Sequence, residues 1–194
     1  MRIIGGKFRG RPIVAPAGRD TRPTSDRTRE SLFNILSSRE DVDFDGARVI
    51  DLFAGSGALG FEAMSRGAEW CLFVETEAAA RGAIRDNAEA LELFGVTRIH
   101  RRSATDLGPK PPAVGAPFTL AFLDPPYGKD LTGPALDMLH KGGWLVPGAL
   151  AIVEQGKDEP PVAAAAFTEA DRRVYGAAQV GIYLYTPQAE KPSR

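Results

Sequence analysis

The segment Asp124-Pro125-Pro126-Tyr127-Gly128 directly follows an apolar run, Phe118 to Leu123. A carboxylate, two prolines and an aromatic ring in that order suit chemistry on an aromatic amine. Such a nitrogen is a poor nucleophile because its lone pair is delocalised into the ring. The Asp124 carboxylate and the Pro125 carbonyl offer two acceptors for the two amine hydrogens, drawing the nitrogen toward a tetrahedral shape with its lone pair aimed outward. Acceptors placed where positive charge develops do the converse of an oxyanion hole. The prolines fix φ and remove two N–H donors, so the corner is rigid. Tyr127 supplies a flat face for stacking a base, worth about 1–3 kcal/mol. As a bare string, Asp124 to Tyr127 would as readily be an ordinary loop; its position at the end of a strand turns the reading toward function.

The second chemical signal is Asp51-Leu-Phe-Ala-Gly55-Ser-Gly57-Ala-Leu-Gly60, where an apolar run meets a helical pattern. Glycines there let the chain turn sharply and a ligand approach the backbone, and the open N–H groups of the following helix face a polar or anionic group. Twenty residues after Gly55, Glu75 closes the next apolar run, where a carboxylate accepts hydrogen bonds from ribose hydroxyls. Gly55, Gly57 and Gly60 also satisfy the dinucleotide fingerprint, so a nicotinamide or flavin cofactor competes, as does a purely structural corner. Asp51 discriminates between the cofactors: a carboxylate ahead of the turn would repel a pyrophosphate but would meet the positive amino group of methionine. With the Asp124 segment about 70 residues further on, the two signals point to S-adenosylmethionine and an amine acceptor.

The elements that must position these residues follow from periodicity. Strands are expected at Arg48–Phe53, Glu69–Glu75, Arg98–His100, Phe118–Leu123 and Gly148–Glu154, and helices at Ala58–Arg66, closed by Gly67, at Glu77–Leu93, closed by Gly95, and at Leu131–Lys141. Alternation at this spacing predicts an α/β fold with a mostly parallel sheet covered on both faces. Arg172–Tyr175 and Gln179–Tyr185, joined by a tight link, predict an antiparallel hairpin at the sheet edge. At the other end, Arg2–Ile4 and Arg11–Val14 predict a small β-hairpin. A helix carrying Leu32, Phe33, Ile35 and Leu36 follows, with Thr24 or Ser25 as N-cap.

Composition narrows the class. A length of 194 residues with 43% apolar and 25% charged side chains is one ordinary domain able to bury a core. Cys71 is the sole cysteine, which excludes an intramolecular disulfide and a cysteine-rich zinc site; its apolar surroundings read as packing. His100 and His140 are far apart, so no metal is expected. No run approaches the ~20 apolar residues of a membrane span, and the basic N-terminus lacks the apolar region of a signal peptide. A cytoplasmic monomer is expected. Residues 1–29 hold eight basic side chains against two acidic ones, a net +6 in a chain of total charge −1, which leaves −7 on the remainder. Such a segment suits a polyanion docking on one face, or is a solvated basic tail.

Arg2-Ile-Ile-Gly-Gly-Lys-Phe-Arg-Gly-Arg11, Arg22-Pro-Thr-Ser-Asp-Arg-Thr-Arg-Glu30, Asp51 to Gly60, Ser65-Arg-Gly-Ala68, Asp124 to Tyr127 and Arg173-Val-Tyr-Gly176 together resemble the RsmD-type 16S ribosomal RNA (guanine-N2)-methyltransferases, a class I S-adenosylmethionine-dependent family. The resemblance covers nearly the whole chain apart from the loop around Pro109–Pro117 and the last residues. It implies a Rossmann-like seven-stranded sheet and methylation of a guanine N2 in small-subunit ribosomal RNA, within an assembled or assembling subunit. Asp51, Phe53, Gly55 and Gly57 would hold the methionine part of the cofactor, Glu75 the ribose, and Ser103 and Ala104 the adenine. Relatives carry Asp or Asn where Ser103 stands, and Asp106 is a substitute. Asp124, Pro125 and Tyr127 would be catalytic, and Arg9, Arg11, Arg22, Arg27 and Arg29 would engage RNA, with Arg27 and Arg29 alternatively paired to Glu30 or Asp26 on the helix surface. Residues 1–45 would form the basic extension, 46–187 the methyltransferase domain and 188–194 a flexible tail. The alternatives are a DNA adenine or cytosine amino-methyltransferase, for which the chain has little room for a target-recognition region, a nicotinamide oxidoreductase, and a catalytically silent RNA-binding assembly factor.

Overall fold

The computed structural model describes residues 1–16 and 26–188; Arg22 and the expected caps Thr24 and Ser25 lie outside them. Among the described residues the apolar runs form β1 (Arg48–Leu52), β2 (Trp70–Val74), β3 (Thr97–His100), β4 (Phe118–Leu123), β5 (Leu145–Gly156), β6 (Phe167–Tyr175) and β7 (Ala178–Tyr185). They build one sheet in the order β3-β2-β1-β4-β5-β7-β6. The first five strands pair in parallel; β7 is antiparallel to both β5 and β6. This is the expected Rossmann-like sheet with its antiparallel edge hairpin. β7, the last strand in the chain, is the inner member of that hairpin.

Each central strand is buried on both faces because its side chains alternate between two cores. Val49, Phe73, Leu120, Phe122 and Ile152 point to one. Ile50, Leu52, Leu72, Ala121 and Leu123 point to the other. The first core receives α1 (Asp26–Ser38) through Leu32, Phe33 and Leu36, α2 (Ala58–Ser65) through Phe61 and Met64, and α3 (Ala78–Ala90) through Ile84 and Ala88. The second receives α4 (Thr132–Lys141) through Ala135, Leu136 and Leu139.

Helices α2 and α3 end in the same device. After α2, Gly67 takes φ +125° while Ala68 N–H bonds Ala63 O at 3.1 Å, a Schellman closure. The expected cap of α3 at Gly95 is displaced. Glu92 adopts φ +59°, its N–H reaches Glu89 O at 3.0 Å, and Leu93 N–H reaches Ala88 O at 2.8 Å. Burial of Leu91 and Leu93 outweighs the cost of a left-handed glutamate there. β5 and β6 run longer than expected. β6 begins at Phe167 because β7 supplies backbone partners to residues whose side chains are mostly polar.

The N-terminal hairpin is reduced to a single antiparallel bridge, Arg2 with Pro12, around a 3-10 turn at Gly6–Phe8. Pro12 has no N–H to extend the ladder. Ile3 N–H to Arg11 O and Ile13 N–H to Met1 O, both 2.9 Å, hold the two arms together. Ile3 and Ile13 enter the same core as α1 to α3. No helix among the described residues is long and apolar enough to cross a membrane.

Candidate active site

The register of the sheet brings the predicted residues together. Leu52 lies opposite both Val74 and Leu123. Phe53, Glu75 and Asp124 therefore leave three neighbouring strands at one level of the carboxyl rim. The strand order reverses between β1 and β4, which is where an open α/β sheet forms its ligand crevice.

The glycine turn is built for close approach. Phe53, Gly55 and Gly57 all take positive φ, at 60°, 55° and 78°. For Phe53 that conformation is strained by an amount of order 1–3 kcal/mol, held in place by the surrounding turn. A Cβ on Gly60 would stand 2.4 Å from the Phe73 ring and 2.7 Å from Cys71 Sγ, so glycine is what lets α2 lie against β2. Asp51, only 1% exposed, accepts Gly60 N–H on Oδ2 at 2.9 Å. Burial pushes its carboxyl up to about 8; the Gly60 N–H opposes the rise and the Glu75 charge adds to it. Glu75 accepts Gly55 N–H on Oε2 at 2.9 Å and Glu77 N–H on Oε1 at 2.8 Å, joining the turn to the start of α3. Cys71 is fully buried, and burial raises its thiol well above the ordinary value, so it packs rather than reacts.

In the Asp124 corner, Pro125 is buried while Asp124 and Tyr127 are half-buried. The Tyr127 hydroxyl donates to Glu154 Oε1 at 2.8 Å. Gly128 N–H donates to Glu159 Oε1 at 3.0 Å, and the same oxygen accepts Gly156 N–H at 3.3 Å. The corner after β4 is thus tied to the end of β5 by two carboxylates that sequence reasoning passed over. Glu154 carried a usable signal: like Glu75, it closes an apolar strand.

After β3, Ser103 spends its hydroxyl locally, 2.9 Å from Thr105 Oγ1, and its carbonyl accepts Asp106 N–H at 3.0 Å. Ala104 is buried and the Asp106 side chain is exposed.

The basic residues divide. Arg9 and Arg27 are exposed; Arg11 is exposed and donates to the Ala90 carbonyl at the end of α3. Arg29, expected to face RNA, is 0% exposed and bonds Asp26 Oδ1 at 3.0 Å and the Arg2 carbonyl at 2.5 Å. It holds the N-terminal arm onto α1 and has no surface to offer a polyanion. That arm is also pinned to α2. Buried Glu62 accepts Ile4 N–H at 2.8 Å, Gly5 N–H at 2.9 Å and Arg66 Nε at 2.9 Å. A Cβ on Gly6 would meet the Ser65 carbonyl at 1.9 Å, which explains that glycine, and one on Gly5 would meet the Arg66 guanidinium at 2.5 Å.

Comparison with known proteins agrees with this arrangement. The sequence profile of the family described as conserved hypothetical protein 95 matches residues 1–184. The chain is 35% identical over 194 residues to ribosomal RNA small subunit methyltransferase D of Escherichia coli K12, covering 100% of this chain and 93% of the relative. It is 33% identical over 184 residues to the protein of the same name in Haemophilus influenzae, covering 94% and 93%. A solved Escherichia coli structure assigned as the methyltransferase yhhF superposes with TM-score 0.82 at 35% identity, covering 97% of this chain and 99% of that one.

Proposed function

This chain belongs to the conserved hypothetical protein 95 family, and from that membership we propose that it is an S-adenosylmethionine-dependent methyltransferase acting on the exocyclic N2 of a guanine in bacterial small-subunit (16S) ribosomal RNA. The observation that carries the reading is the common rim of Phe53, Glu75 and Asp124 on β1, β2 and β4. Ribosomal RNA is favoured as substrate because relatives matching the whole chain are named for methylating small-subunit rRNA.

The donor set fits S-adenosylmethionine. Asp51 is a buried carboxyl near the end of β1, held by the Gly60 N–H, and a ligand ammonium would compensate its charge. Each Glu75 oxygen accepts one backbone N–H and has a further lone pair for a ribose hydroxyl. When bound, S-adenosylmethionine supplies an electrophilic methyl group on a sulfonium. The chain's own part is to present the acceptor. The Asp124 carboxylate and Pro125 carbonyl take the two hydrogens of the guanine amine and aim its lone pair. The Tyr127 ring stacks the base, with Glu154 fixing the tyrosine by its hydroxyl. Arg9, Arg11 and Arg27 hold the RNA backbone. Adenine would lie against Ser103 and Ala104.

The test supplies methyl-labelled S-adenosylmethionine with unmodified small ribosomal subunits, protein-free small-subunit rRNA or duplex DNA, and follows label into nucleosides by chromatography. Label in N2-methylguanosine from a ribosomal substrate is expected. Label confined to DNA would keep the chemistry and overturn the substrate.

A further inference from the structure

Asn87, in the last turn of α3, is 1% exposed and belongs to none of the roles above. Its Oδ1 accepts Val14 N–H at 2.8 Å, and its Nδ2 donates to Val14 O at 3.0 Å and to Ser56 O at 2.9 Å. Both amide hydrogens and one oxygen lone pair are in use. The orientation is fixed by these partners, since a flipped amide would set NH2 against the Val14 N–H. Val14 is exposed through its side chain but satisfied through its backbone, so one side chain does for this arm what a neighbouring strand would do. Ser56 sits between Gly55 and Gly57 in the glycine turn. Met1 Sδ lies 4.0 Å from Ser56 Oγ, a second contact between the same two segments.

We propose that Asn87 is a positioning residue that couples the seating of the basic N-terminal arm to the shape of the glycine turn, so that cofactor affinity depends on how that arm is held. The consequence for the cofactor rests on the reading that S-adenosylmethionine occupies the turn. An aspartate keeps the shape and the acceptor but loses the donor, leaving the Val14 and Ser56 carbonyls facing a carboxylate. Both segments then loosen together.

The test compares wild type with Asn87→Asp by hydrogen exchange of the ligand-free protein and by calorimetric binding of S-adenosylhomocysteine. Amides in residues 1–16 and in residues 52–60 are both expected to exchange at least about tenfold faster, and affinity to fall about tenfold, the loss of roughly one hydrogen bond. Leu139→Ala, in the opposite core, is expected to lower the melting temperature while leaving affinity at the wild-type value. If Asn87→Asp does not fold, Asn87→Ser carries the same comparison. Faster exchange confined to residues 1–16, with affinity unchanged, would overturn the proposal and leave Asn87 a simple anchor. Coupled exchange in a wild-type protein that binds no S-adenosylhomocysteine would uphold the coupling and overturn the proposed function instead.

Discussion

The proposed function gives two carboxyls opposite jobs, and each makes its own prediction. Asp124 would act on the acceptor, so Asp124→Ala is expected to lower methyl transfer at least about a hundredfold, the scale of losing a polar group aimed at transition-state charge. S-adenosylhomocysteine binding, followed by calorimetry, should stay within a few-fold. Asp51 acts on the donor. Its folded value of about 8 exceeds the ordinary 3.8, so the folded chain binds this proton more tightly than the unfolded one. The ligand-free protein therefore loses stability as pH climbs from about 4 to about 8, and no further above that. An ammonium selects the ionised form, so affinity for S-adenosylhomocysteine should rise with pH toward about 8 with release of up to one proton per ligand. Calorimetry in buffers of different ionisation enthalpy measures that proton, and Asp51→Asn should abolish its release. The positions of both residues were legible in the sequence because type, strand end and spacing suffice to place them. Arg29 was not, since a charge in a basic run carries no mark of burial. The Tyr127–Glu154 bond joins positions 27 apart that only the pairing of β4 with β5 brings together.

At the scale of elements, the N-terminal arm is held by buried polar groups more than by sheet pairing. Glu62, fully buried on α2, gathers two backbone N–H groups and the Arg66 guanidinium. Glu62→Ala leaves those donors without their acceptor and is expected to cost about 3–5 kcal/mol, read from urea unfolding. Residues 1–16 should also become sensitive to protease below the unfolding midpoint. The strands and the α2 cap at Gly67 were readable because apolar runs and a glycine mark them. The α3 stop at Glu92 was not, because a Schellman closure is a backbone geometry that buried leucines on either side can impose on any residue. The start of β6 was hidden for a related reason. All of Thr168 to Arg173 but Ala170 are polar, which suits a loop and an edge strand alike.

For the whole molecule, charge is divided along the chain: Arg9 and Arg27 are exposed on the N-terminal arm and on α1, while residues 30–194 are net acidic. Replacing both with alanine should weaken rRNA binding across sequences and reduce the slope of log affinity against log salt by about 1–2. S-adenosylhomocysteine affinity should hold, and filter binding over a salt series checks the difference. The sheet places its two exposed margins with care. β3 is four residues long, and β6 carries Glu169, Asp171, Arg172 and Arg173. Between them β5 runs Leu150 to Val153 buried and apolar, protected by β7 alone on that side. A protease cut or premature stop ahead of Ala178 would strip that cover and bare an uncharged, apolar strand edge as a template for self-association. The fragment so made should form aggregates even though every residue of the proposed catalytic rim is still present in it.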